Sequence, residues 1–235
     1  MAKIDKTQYT KAEWKLIREK RRNEKRLSQI KTSPTFNTDN TNTAFVLGNG
    51  VSRKSINLED LKSLGKTYAC NAVYRTFRPD YLVAVDVKMI LEIAKAGFQN
   101  RNEVWTNPNK SYARLQNLNY FSPSKGWSSG PTALWLASQH NYETIYILGF
   151  DFRGLNEGRS FNNMYADTAN YKKSTDSATF FGNWMRQTIN VIKEHSNIQY
   201  VRVIASDNYC PEELNKFDNL KTITVEDFKE IFNIL

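Results

Sequence analysis

From residue 44 onward, short runs of apolar and β-branched residues alternate with stretches whose apolar positions recur at helical spacing. The runs near 44–48, 67–70, 81–85, 103–106, 119–121, 144–149, 199–204 and 222–224 read as strands. Helices fit between them. Asn57 caps a helical segment at 58–64, residues 87–96 carry apolar side chains on one face, and 131–140 begins with Pro131 at a first-turn position. Segments 183–195 and 225–232 complete the set, the last capped by Thr224 with Asp227 three residues on. Strands joined through helices need crossover connections, so the pattern predicts an α/β, Rossmann-like fold: a mostly parallel sheet with helices on both faces. Residues 153–179 follow neither period, and a polar stretch of that length is usually functional or disordered.

The first 43 residues have a different texture. Thr10 and Glu13 have capping-box spacing and Tyr9 with Trp14 that of a hydrophobic staple, which predicts a helix over about 11–29. Its segment 18–26 is polar all round, so little of it can bury against a core. Residues 32–43 have the Thr, Asn, Ser and Asp content of a linker. The expected division is thus a basic helical arm at 1–31, a linker at 32–43 and a Rossmann-like domain at 44–235. Charge sharpens this picture. Of the net +9, residues 1–31 carry +7, with eleven Lys or Arg against four Asp or Glu, leaving 22 basic and 20 acidic residues elsewhere. The arm either lies along a polyanion such as DNA or another anionic surface, or is simply a solvated charged helix.

Composition excludes several classes. With 40% hydrophobic and 24% charged residues the chain is an ordinary globular sequence. No run approaches the roughly 20 apolar residues of a membrane span, and MAKIDKTQYTKAEWK lacks a hydrophobic signal core, so a cytoplasmic protein is expected. Cys70 and Cys210 are too few for a disulfide framework and read as reduced thiols. His140 and His195 fall at predicted helix ends, where a cation meets the helix dipole favourably. There is no His/Cys metal cluster, no Gly-x-Ser-x-Gly elbow and no tandem basic-aromatic pattern for RNA.

The candidate chemistry sits where predicted strands end. Gly48-Asn49-Gly50-Val51-Ser52 follows the first strand, and two glycines there let the backbone turn tightly and approach a phosphate or ribose. It is not the full dinucleotide fingerprint, because Arg53 holds the place of the third glycine, and no Walker lysine follows. A plain tight turn is the alternative. Asn71 ends the second strand and either reads a base or ribose or bonds its own loop. Asp86 ends the third, as a general base, a metal ligand or a helix cap. Ser128, Ser129 and Gly130 lead into a helix whose free amides suit an anion. Past the sixth strand come Asp151 and Arg153, able to position a sugar hydroxyl and neutralise a leaving phosphate, or to pair with each other on the surface.

In order, Gly48-Asn49-Gly50-Val51-Ser52, Cys70-Asn71, Ser128-Ser129-Gly130 and Gly149-Phe-Asp151-Phe resemble the bacterial lipooligosaccharide sialyltransferases, which carry Gly-Asn-Gly-Pro-Ser, Cys-Asn, Ser-Ser-Gly and Gly-x-Asp-Phe in that order. The chain is also similar to uncharacterised tailed-phage proteins through its Val-Ala-Val-Asp and Asn-Tyr segments, and a related fold serves pterin pyrophosphokinases. The resemblance implies a metal-free transferase in which Asn49, Asn71, Ser129 and Gly130 contact the nucleotide of an activated sugar. It departs where the family has a tyrosine and this chain has Arg153, where Tyr165 is the nearest match to a second tyrosine, and where Asn183 replaces the catalytic histidine after Phe180-Phe181-Gly182. The expected activity is therefore nucleotide-sugar-dependent glycosyl transfer with a carboxylate base, Asp86 before Asp151, no required cofactor, and DNA, including DNA with hydroxymethylated bases, or another polyanion as acceptor. The alternatives are pyrophosphoryl or nucleotidyl transfer, which needs Mg²⁺, and a non-catalytic nucleotide- or nucleic-acid-binding protein.

Overall fold

A computed structural model describes residues 42–205 and 209–234. Eight strands form one all-parallel sheet: β1 (Thr43–Leu47), β2 (Lys66–Cys70), β3 (Tyr81–Val83), β4 (Glu103–Thr106), β5 (Asn119–Tyr120), β6 (Thr144–Leu148), β7 (Gln199–Ile204) and β8 (Leu220–Thr224). Their order is β5-β4-β3-β2-β1-β6-β7-β8. The chain therefore builds outward from β1 to one edge, then crosses back to lay β6 on the other side of β1.

Alternation along β1 explains the layers, since successive side chains of a strand point to opposite faces. Phe45 and Leu47 join a core with Ile90 and Ile93 of α1 (Val87–Lys95) and Phe228 of α4 (Val225–Phe232). Ala44 and Val46 join the opposite core, with Leu134 and Ala137 of α2 (Ser129–Ser138) and Val191 and Ile192 of α3 (Gly182–Glu194). The expected Rossmann-like α/β architecture is what the structure has, with every predicted strand present.

Several local expectations shift. Residues 58–64 form a 3-10 segment, Leu58–Ser63, capped by Asn57, and the chain then turns at Gly65 where a Cβ would lie 2.3 Å from the Thr43 carbonyl oxygen. Helix α2 begins at Ser129, two residues before Pro131. The Thr224–Asp227 capping box forms as expected. His140 is not a dipole-stabilised cation: it is buried beside the Tyr68 hydroxyl, and burial pushes its pKa down to about 4. The predicted helix at 11–29, the arm at 1–31 and nearly all of the linker lie outside the described residues.

Apart from a four-residue helical turn at Leu155–Gly158 and two isolated bridges, the stretch after β6 has little regular structure, for a visible reason. Its turns place Asn156, Glu157, Asp167 and Asn170 in left-handed backbone conformations, and tertiary bonds hold it to the body. Arg75 donates to Thr168 Oγ1 (2.7 Å) and to the Ala169 carbonyl (2.8 Å), and pairs with Glu92 of α1 (2.7 Å), which also accepts from Asn170 (2.6 Å). The Arg75 hydrogen bonds hold the Glu92 carboxyl down at about 2.

Candidate functional site

Open α/β sheets bind ligands beyond the carboxyl ends of the strands, at the point where strand order reverses. Here that point lies between β1 and β6, paired in register from Thr43 opposite Thr144 to Leu47 opposite Leu148. A glycine follows each strand, Gly48 after β1 and Gly149 after β6. The Gly48 N–H donates to the Leu148 carbonyl (2.8 Å) and the Gly50 N–H to the Gly149 carbonyl (2.9 Å). A Cβ on Gly48 would stand 2.5 Å from the Gly149 oxygen, and one on Gly149, whose φ is +69°, would stand 2.9 Å from the Gly48 oxygen. The two backbones cross where side chains have no room.

Asp151 ties this crossing to the irregular stretch. Its carboxylate accepts from the Ser52 hydroxyl, from the Ser52 N–H at 3.2 Å and from Asn162 Nδ2 at 2.9 Å. Asn162 in turn accepts from the Val51 N–H at 3.0 Å. Gly50 faces the same carboxylate, and a Cβ there would fall 2.4–2.6 Å from its atoms. Gly50 has φ −65°, so it is close approach to Asp151, not a left-handed backbone, that requires glycine. Further along, the Met164 N–H donates to the Asn49 carbonyl (2.8 Å) and Asn49 Nδ2 to the Tyr171 hydroxyl (3.0 Å).

Above the crossing opens a cavity of about 440 Å³, within the roughly 300–1,000 Å³ typical of small-molecule sites. Gly48, Asn49 and Gly50 form one wall and Ser128, Ser129 and Gly130 another. Ser128 occupies the N-cap of α2 without a side-chain cap bond, and the first-turn amides of a helix have no partner within it. Gly130 lets the helix start approach the Phe150 ring, which a Cβ would meet at 3.3 Å. Asn49 and Asn71 each carry an Oδ1 that is buried without a hydrogen-bond partner. Asn71 and Phe152, both lining the cavity, have φ of +52°, a conformation that is uncommon for asparagine and an outlier for phenylalanine. Such strain concentrates at functional sites. Burial pushes the neighbouring Cys70 thiol up to about 12, so it stays protonated and inert as a nucleophile.

Asp86 has the environment opposite to that of Asp151. It sits at the N-cap of α1, yet its side chain makes no cap bond, and it is exposed to the cavity. Arg153 also lines the cavity, its guanidinium 4.6 Å from the Tyr209 ring centroid. Among the described residues, no three His, Cys, Asp or Glu side chains converge as a metal-binding group, and no helix is long and apolar enough to cross a membrane.

The structure thus gathers most of the residues singled out from the sequence, but not three of them. Ser52 lies below the turn, bonded to Asp151. Tyr165 is in the core, its hydroxyl 3.0 Å from Thr76 Oγ1, and Tyr171 takes the place beside Asn49. Asn183 faces outward on the first turn of α3, accepting from Arg186 at 2.9 Å. The cavity also recruits residues that the sequence did not single out: Asn162 and Phe161 from the irregular stretch, and Phe181 and Trp184 at the start of α3. Their one signal was the density of aromatic and amide side chains between 161 and 184.

The sequence matches no protein-family model and no curated protein. Among solved structures, the MAf glycosyltransferase from Magnetospirillum magneticum AMB-1 is similar at 14% identity with a TM-score of 0.49, over 80% of this chain and 34% of that one. The chain therefore spans about a third of the length of that enzyme.

Proposed function

We propose that the chain is a nucleotide-sugar-dependent glycosyltransferase in which Asp86 is the general base. The observation that carries the reading is the state of Asp86: a carboxylate at a helix N-cap that leaves the cap unfilled and faces the cavity instead. The walls suit the donor. Unpartnered Oδ1 atoms on Asn49 and Asn71 match the hydroxyls of a ribose or the exocyclic amine of a base, and the amides at the start of α2 match a phosphate.

In the proposed step the acceptor hydroxyl gives its proton to Asp86 as its oxygen bonds to the anomeric carbon. The bond from that carbon to the nucleotide phosphate oxygen breaks, and the electron pair leaves on the phosphate, whose charge Arg153 takes up. The surplus of positive charge in residues 1–31 suits recruitment of a polyanionic acceptor, whether an anionic glycan or DNA with hydroxymethylated bases.

Thermal unfolding of the purified protein with a series of nucleotides and nucleotide sugars, with and without Mg²⁺, tests the reading. A ligand at 100 times its Kd stabilises by about 2.7 kcal/mol, which for a domain of this size raises Tm by roughly 5–10 °C. The expected result is such a shift with one nucleotide sugar, independent of Mg²⁺, together with slow release of its nucleotide. A response confined to ATP with Mg²⁺ moves the assignment to pyrophosphoryl or nucleotidyl transfer. Binding without any turnover makes the cavity a sensor.

A further inference from the structure

We infer that Phe180, held over Gly182 and accompanied by Trp184, is the stacking platform for a sugar ring of the acceptor; this rests on the transferase reading above. Phe180 is 75% exposed, more than any other large apolar side chain among the described residues. It is flanked by Thr179 and Phe181, which both line the cavity, and Trp184, 36% exposed, lines it from the first turn of α3. The exposed rings therefore stand at the mouth of the cavity and not scattered over the surface, where they would need no explanation.

The placement of Phe180 is built. Its ring lies near-parallel to that of Phe181, with centroids 6.4 Å apart and planes 20° apart. Its far edge folds back over Gly182, where a Cβ would sit 2.4 Å from Phe180 Cζ. Gly182 opens α3, and glycine is a poorer helix former than alanine. An alanine here would meet the tip of the Phe180 ring and turn it out of this position, so it is the placement of the ring, not the helix, that depends on glycine.

The chemistry of the mouth selects the occupant. Flat apolar faces bind the C–H face of a pyranose or a nucleobase equally well in area, but a polynucleotide also needs cations along its backbone. Near the rings such charges are few and form no row: Lys125 is neutralised by Glu194 at 2.6 Å, and Arg186 is hydrogen-bonded to the neutral Asn183 side chain at 2.9 Å. The platform therefore favours a sugar ring over a base in a nucleic-acid strand.

Saturation-transfer NMR on the full chain, irradiating aromatic protons, tests this with methyl β-galactopyranoside, methyl β-glucopyranoside and thymidine as probes. Wild type should transfer saturation to the ring C–H protons of at least one glycoside. Phe180→Ala should reduce that transfer at least fivefold. Gly182→Ala should reduce it similarly while leaving Tm equal or higher, because it displaces the ring but improves the helix. The nucleotide-induced shift in Tm is measured in parallel on each variant. Glycoside transfer that survives both substitutions, transfer to thymidine alone, or no transfer to either glycoside overturns the platform, whatever the nucleotides do. Loss of glycoside transfer in both variants supports it, and if no nucleotide then shifts Tm, it is the transferase reading that has failed.

Discussion

Replacing Asp86 by Asn and Asp151 by Asn is the same chemical change made twice, and the structure makes the consequences opposite. Asp151 accepts three hydrogen bonds, two from Ser52 and one from Asn162, and so joins the glycine turn to the irregular stretch eleven residues beyond Asp151 itself. A hydrogen bond to a charged group contributes about 1.5–3 kcal/mol against about 0.5–1.5 for a neutral pair. An amide also presents an N–H₂ to donors that require an acceptor. Asp151→Asn should therefore lower stability by about 2–3 kcal/mol, a large part of the 5–15 typical of a domain. With a urea slope near 2 kcal/mol per molar, the midpoint falls by roughly 1 M. The Asp86 side chain has no hydrogen-bond partner among the described residues, and asparagine is an equally good N-cap, so Asp86→Asn should leave the midpoint unchanged within about 0.5 kcal/mol. Turnover should respond the other way, with kcat falling at least 100-fold for Asp86→Asn at unchanged nucleotide affinity. Equal midpoints for the two variants would refute the structural role of Asp151, and near-normal kcat in Asp86→Asn would remove Asp86 as the base.

Gly50→Val should disrupt the turn through its Cβ, 2.4 Å from the Asp151 carboxylate, and so abolish nucleotide binding with a stability loss like that of Asp151→Asn; a variant of normal stability and normal affinity would exclude the turn from the site. Acid should act in two windows, because the folded pKa values of His140 and Glu92 both lie below their ordinary ones. The unfolded chain then takes up protons first, so stability falls from pH 6.5 towards about 4 as His140 protonates, and from about 4.5 towards 2 as Glu92 does. Urea midpoints measured across pH should flatten in the upper window for His140→Gln and in the lower one for Glu92→Gln. Deleting residues 1–31, which carry +7, should weaken binding to heparin or duplex DNA and flatten its salt dependence without changing the nucleotide-induced shift in Tm, and identical salt slopes would mean that the arm does not touch the polyanion.

The sheet was legible because its central strands are covered on both faces. Phe45 and Leu47 face one core and Ala44 and Val46 the other, so the run is apolar throughout and stands out against any neighbour. Strand order was not legible, since nothing local says that β6 returns to the side of β1 opposite β2. The irregular stretch was legible only as a lack of period. Its structure depends on contacts such as Asn162 with Val51 and Tyr171 with Asn49, 111 and 122 residues apart, which leave no spacing to detect. That is also why Tyr165 stood in for Tyr171: both are tyrosines in one polar segment, and only the path of the chain puts one in the core and the other against the turn.

The glycines show how a sequence pattern can leave out the physical reason for a residue. Gly48 and Gly50 line the cavity after the first strand, but what demands glycine is partners a hundred residues away, the Gly149 carbonyl and the Asp151 carboxylate. Asp86 shows the converse. Its place before a helix is the place of a cap, and the sequence offers no means of telling a carboxylate that caps from one that does not. The distinction lies in an unmade bond. A cap whose oxygen accepts from the helix is held in place and partly satisfied, whereas a carboxylate that declines the same bond keeps its lone pairs for whatever enters the cavity. Asp86 and Asp151, alike in the sequence as acidic residues after strands, thus differ in what binds them: the Asp151 carboxylate is taken up by Ser52 and Asn162, whereas the Asp86 carboxylate makes no such bond and lines the cavity, which is why the proposed reaction gives the proton to Asp86.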